Sequence, residues 1–243
     1  MADGRIIIDT NIDSSGAEKD VKSLSGKLSG IAKTGLTAFT GAIAAAGTAI
    51  GGLATIATKY NSQMEDYFAN FTVLLGSATE ATKHVEDLKD FAAKTPFEMA
   101  GLADASKQLL SFGIGVEDIM PDLQMLGDIS LGNQERFKGL ALVFAQVASA
   151  GKLTGQDLLQ FINQGFNPLQ VIAEKTGKSM SELKEEMSQG KISYEMVAEA
   201  MKSATSEGGK FYQGMEVQSK TLSGMWSTLK DDTMSLIGDA FKP

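Results

Sequence analysis

The chain has 243 residues, 43% hydrophobic but only 7% aromatic, with 26 Gly, 12 Met and no cysteine. That is enough for one large domain or two modest ones built on small and flexible side chains, and it excludes disulfides, thiol catalysis and cysteine metal sites. With 22 Lys plus Arg against 30 Asp plus Glu, the net charge is −8, the opposite of the balance that grips nucleic-acid phosphates.

The start, "MADGRIIID", has no basic segment leading into an apolar run and cleavage site, so no secretory signal is expected. In "RIIIDTNID", Ile6, Ile8, Thr10 and Ile12 alternate with Asp9, Asn11 and Asp13, which predicts a short N-terminal strand or arm over residues 1–14. Asp9, Asn11 and Asp13 also imitate the opening of a calcium loop. The sixth position is Ser14 where glycine is required and the twelfth is Asp20 where glutamate is required, so calcium is not expected.

From Gly16 a helical period takes over with Val21, Leu24, Leu28 and Ile31, and after a one-residue slip a longer series follows. Leu36, Phe39, Ile43, Ile50, Leu53, Tyr60, Met64, Tyr67, Phe71 and Leu74, with Ala46 and Ala57 between, form a heptad seam. The spacing predicts one long amphipathic Gly/Ala-rich helix over 15–76, whose seam drives self-association. Its alanines permit close packing without fixing the number of strands; a trimer is favoured over a hexamer. Residues 34–58 carry no charge and as helix would span about 37 Å, enough to cross a bilayer, and Gly47-x-x-x-Gly51 is a membrane-type packing motif. The seam nevertheless continues into Tyr60, Met64 and Tyr67 with Glu65 and Asp66 between them, where lipid is no partner. A soluble bundle is therefore favoured; the alternative is a membrane-active protein that inserts residues 34–58, with transient membrane contact.

Gly76 interrupts the helix and Ser77-x-x-Glu80 restarts it through Ala78, Ala81, Val85 and Leu88. The single histidine, His84, lies among Lys83, Glu86 and Asp87 and reads as a solvated surface residue, because a ligand or general base needs partners at fixed positions. In "FAAKTPFEMAGL", Thr95 reads as an N-cap, Pro96 as a first-turn residue and Glu98 as its capping partner, while Phe97 reads as a core anchor. That helix carries Leu102, Leu109, Leu110 and Phe112 and closes at Gly113. Another spans 133–150 with Phe137, Leu140, Val143, Phe144 and Val147 on a face, and Gly151 as its stop. Thr154, Asn167-Pro168, Ser179-x-x-Glu182 and Ser193 open further short helices, three of which end near Gly165, Gly177 and Gly190. The turns "GKLT", "GKSM" and "GKIS" share chemistry at unequal spacing and are no repeat family. The whole of 77–205 is thus expected to be a compact domain of short capped helices. "SEGGKFYQG" at 206–214 reads as a hinge, and 215–243, with Leu222, Met225, Leu229, Leu236 and Ala240, as an exit helix. The fold class is all-α.

Motifs for chemistry are missing. "TGKS" at 176–179 lacks the upstream glycine of a phosphate loop, that position being Ile172, and follows a helix rather than a strand. Glu182, Glu185 and Glu186 lie with Lys178 and Lys184 on a solvated face, not as an acid–base pair. No catalytic residues, cofactor or metal are expected, and the chain reads as a non-enzyme.

In order, "AAKTPFEMAGLADASKQLLSFGIGVEDIMPDLQMLGDISLG", "FAQVASAGKLTGQDLLQFINQGFNPLQVIA", "GKSMSELKEEMSQGKISYEMVAEAM" and "SKTLSGMWSTLKDD" make residues 65–235 resemble the N-terminal domain of bacteriophage tail tape measure proteins. The resemblance implies a helical structural protein of long-tailed phages or phage-derived particles, present in several copies in the tail tube lumen. Such a protein sets tube length, leaves when DNA passes, and is in the host cytoplasm during assembly. Its implied partners are itself, the tail tube protein and tail assembly chaperones, with no specific nucleic-acid binding. At 243 residues the chain is short for a ruler and is expected to be part of a longer protein; a cell-wall hydrolase domain, if the protein has one, is expected downstream.

Overall fold

The computed structural model describes residues 49–219 and 234–235, with side chains for 58–218 and 234–235. The expected strand over 1–14, the helix before residue 49 and most of the exit helix lie outside the described residues. The chain divides into two units, residues 1–63 with 233–243, and residues 64–232. The second is described below.

Every regular element among the described residues is a helix. They are α1 (Ala49–Leu75), α2 (Ala78–Lys94), α3 (Met99–Ser111), α4 (Val116–Ser130), α5 (Gln134–Ala150), α6 (Gly155–Asn163), α7 (Pro168–Thr176), α8 (Met180–Ser188), α9 (Tyr194–Thr205) and α10 (Gly214–Ser219). The unit boundary falls within α1, whose last turns belong to the second unit.

The sequence signals set most boundaries. Asn133, Thr154, Asn167, Ser179 and Ser193 each accept a backbone N–H from three residues ahead, satisfying a donor that the helix start leaves open. Thr154 with Asp157 and Ser179 with Glu182 close full capping boxes. Ser77 accepts from the Glu80 N–H at 3.3 Å. Gly151 and Gly177 end α5 and α7 in the left-handed region, at φ 69° and 72°, as the lack of a Cβ allows.

α5 is the central helix. It packs against α3, α4, α6 and α9, and Phe137, Leu140, Ala141, Val143, Phe144 and Val147 are wholly buried. Burial of an aromatic or large aliphatic side chain contributes about 1.5–3 kcal/mol each, so α5 is the element whose loss dissolves the unit. Phe97 reaches it from the α2–α3 corner and stacks on Phe137 with ring centroids 4.4 Å apart. The "GKLT" and "GKIS" turns lie side by side. Leu153 donates its N–H to Ile192 C=O at 2.8 Å and Tyr194 donates to Gly151 C=O at 3.2 Å, with Leu153 and Ile192 both at 0% exposure. Two turns of one chemistry thus pin the starts of α6 and α9 together.

Two sequence expectations, for Thr95 and His84, are corrected, and one helix, α4, is not among those the sequence predicts. Thr95 does not cap α3; it is the buried C-cap of α2, and α3 starts at Met99 with Glu98 as an N-cap that makes no side-chain cap bond. The cause is Pro96, whose ring disfavours helical backbone at the preceding residue and holds Thr95 extended at φ −129°, ψ 165°. α4 has no boundary in the sequence pattern, since Pro121 lies inside it and Leu131, not glycine, closes it at φ 53°. Pro121 faces solvent, where the helix carbonyl it leaves without a donor can bond water. His84 is not a surface residue: it is 3% exposed.

Candidate interaction surfaces

His84 lies on the apolar stripe of α2 formed by Ala81, Leu88 and Ala92. Its Nε2 is 2.6 Å from Ser106 Oγ on α3, and its ring meets Phe71 of α1 edge-on at 4.7 Å. The spacing 81, 84, 88, 92 carried this signal; the flanking charges masked it. A Ser–His pair at this distance has the geometry of an activated nucleophile, but Ser106 is 0% exposed and His84 nearly so, which leaves no access for a substrate. Burial holds the imidazole below its ordinary pKa, opposed by Asp87. The pair is a clip joining α1, α2 and α3.

The seam residues separate. Phe71 is wholly buried, and Met64 and Tyr67 are partly buried against the same core. Lys107 of α3 places its ammonium 5.9 Å from the Tyr67 ring centroid. Tyr60 is half-buried and Leu74 is 40% exposed. Leu36, Phe39 and Ile43, and the side chains of Ile50 and Leu53, lie outside the described residues.

On α4, Asp118 and Asp122 stand one turn apart near Tyr194 of α9. Burial, then the Asp118 charge, pushes Asp122 up to about 7, and its buried Oδ2 finds no hydrogen-bond partner among protein groups. Burial and these acids push Tyr194 up to about 12. Among the described residues no group of three or more His, Asp or Glu could hold a metal ion.

A cleft of about 530 Å³ opens between α7 and the turn before α10. Ile162, Phe166, Val171 and Phe211 give it apolar walls, while Glu174, Glu207 and Lys210 supply charges. Phe166 meets Phe161 and Phe211 edge-on at 6.1 and 6.0 Å. Leu159, one turn before Ile162 on α6, is 62% exposed. Glu182 belongs to the α8 capping box and Glu186 pairs with Lys178 at 2.6 Å, so the acids of α8 support the helix itself. No helix among the described residues is long and apolar enough to cross a membrane; residues 34–48 lie outside them.

Short capped helices around one core define an all-helical domain among the described residues. A family profile described as "Tape measure protein" matches residues 55–242, well over half the chain, and the chain belongs to that family, whose members are structural proteins of phage tails. No curated protein and no solved structure matches it.

Proposed function

We propose that the chain is the N-terminal, compact end of a tape measure that sets tail tube length and occupies the tube lumen until DNA passes. It is made in the host cytoplasm, meets further copies of itself, tail assembly chaperones and the tail tube protein, and ends in the virion. The observation that carries this reading is the family match across residues 55–242. The net charge of −8 agrees with it, since a plug that DNA must displace should not hold phosphates.

The compact unit contributes little length. α6, α7 and α8 have nine residues each, about 14 Å of helix apiece, with α6 packed on α5 and α7 on α8 and α9. The measuring role belongs to uninterrupted helix elsewhere in the reading frame. In-frame deletions there should shorten tails by about 1.5 Å per residue removed, whereas Leu140→Asp, a charge placed in the core, should abolish or misdirect assembly. Electron microscopy of both classes of particle tests this. Normal-length tails from the deletions, or tails graded in length by damage to residues 91–210, overturn the assignment.

A further inference from the structure

The contact between α4 and α9 gathers acids without a cation to answer them. Asp118 and Asp122 are four residues apart on α4 and so share one face of it. Opposite, α9 packs on α4 and brings Tyr194, whose hydroxyl responds to the charges of Asp122, Asp118 and Glu195. The charge that acts on the Asp122 carboxyl is that of Asp118. The other helices packed against α4 carry Asp104 and Lys107 on α3, Glu135, Arg136 and Lys138 on α5 and Glu216 on α10, and none of these acts on Asp122. Lys107 is engaged with Asp104 and the Tyr67 ring, and Arg136 with the Gln164 carbonyl. Further along α9, Glu199 pairs with Lys175 of α7. Lys152 and Lys191, in the turns ahead of α6 and α9, act on neither Asp122 nor Tyr194.

The two oxygens of Asp122 do not share one environment. The residue is half-buried, yet its Oδ2 is closed off from solvent and has no hydrogen-bond partner. A neutral carboxyl bears this at the cost of one unmade bond, whereas a carboxylate places an unsolvated charge next to that of Asp118. Tyr194 ties this spot to the surrounding packing. It is the first residue of α9, its ring lies on the buried Phe144 of α5 with centroids 5.2 Å apart, and its N–H donates to Gly151 C=O at 3.2 Å in the paired turns. The α4–α9 contact, the ring contact with α5 and the pairing of the turns thus meet in one residue.

We propose that Asp122 is a proton-operated latch: protonated, it lets the first turn of α9 seat on α4, and ionised, it unseats that turn while α4 and α5 stay folded. Unseating separates Tyr194 from Phe144, opens its bond to Gly151 and admits water to Oδ2. Burial, then Asp118, raises the carboxyl from 3.8 to about 7 in the seated form, while in the open form the carboxyl regains its ordinary solvation. The proton therefore holds the seat fully below 3.8, and its hold is lost as pH climbs through about 7. The opening equilibrium should rise ~10-fold per pH unit between those two values and level off above the upper one.

Hydrogen exchange read by mass spectrometry on the whole chain, corrected for the intrinsic pH dependence of amide exchange, tests the latch. Between pH 6 and pH 8 the amides of residues 192–197 should exchange ~10-fold faster, with little denaturant dependence, as a local opening requires. Asp122→Asn keeps the shape and cannot ionise, and it should make this group independent of pH over that range. Asp118→Asn keeps Asp122 and removes the neighbouring charge, and it should move the levelling-off to lower pH. A wild-type group that does not respond to pH, or a response that survives Asp122→Asn, overturns the proposal. So does a response with the same denaturant dependence as the amides of α5, because the pH effect would then be unfolding of the whole unit.

Discussion

The half-buried Asp122 and the buried His84 have opposite pH signatures. The Asp122 carboxyl is raised from 3.8 to about 7 in the folded chain, so as pH rises the unfolded chain ionises first. The stability its neutral form contributes is full below 3.8 and is lost as pH climbs through about 7. His84 is lowered from 6.5, so the unfolded chain takes the proton first and stability falls as pH drops below 6.5. Asp122→Asn removes the ionisation and leaves the shape, and the expected result is a stabilisation of about 1–2 kcal/mol at pH 8 that vanishes near pH 4. Thermal unfolding of both proteins at the two pH values checks it; an equal shift at both would mean that charge is not the cause.

At the scale of elements, the short helices depend on their caps because they bury few side chains. Within α6 only Asp157, Leu158 and Phe161 are buried, and a nine-residue helix is marginal by itself. Thr154 holds it with three bonds. Its Oγ1 donates to Asp157 Oδ2 at 2.6 Å, its N–H donates to the same oxygen at 3.0 Å, and its Oγ1 accepts the Asp157 N–H at 3.3 Å. At the other end Arg136 Nε donates to Gln164 C=O at 2.9 Å, with the guanidinium lying against Gly165. Thr154→Ala should therefore cost about 1 kcal/mol in urea unfolding with unchanged slope. Ser193→Ala should cost less, since its hydroxyl makes a longer cap bond of 3.4 Å to the Met196 N–H and its other bond goes to the exposed Glu195 carboxylate.

At the scale of the whole molecule, Met64, Tyr67 and Phe71 are taken up by the chain's own core, which leaves Leu36, Phe39, Ile43, Ile50 and Leu53 as the seam members we propose for self-association. Ile43→Asp with Ile50→Asp should convert an oligomer into monomers by light scattering while leaving the melting of the second unit unchanged, since neither residue belongs to it. A wild-type chain that is already monomeric at working concentrations would refute the seam.

Fold class, most helix starts and the core face of α5 were legible in the sequence, because caps, glycine stops and the helical period are local and each acts within about four residues. The resemblance of several ordered segments pointed to the family that the match over 55–242 then established. What local pattern could not decide was set by contacts distant in the chain. His84 is inside because Phe71 and Ser106, from two other helices, cover it. Thr95 ends a helix instead of starting one because Pro96 and the inward turn of Phe97 onto Phe137 make a corner there. Asp128 caps a helix 87 residues away, and Gly127, Gly132 and Gly214 are small because another segment's backbone or side chains fill the space where a Cβ would stand. Local signals open and close helices; only their packing decides which charges are buried and which glycines are indispensable.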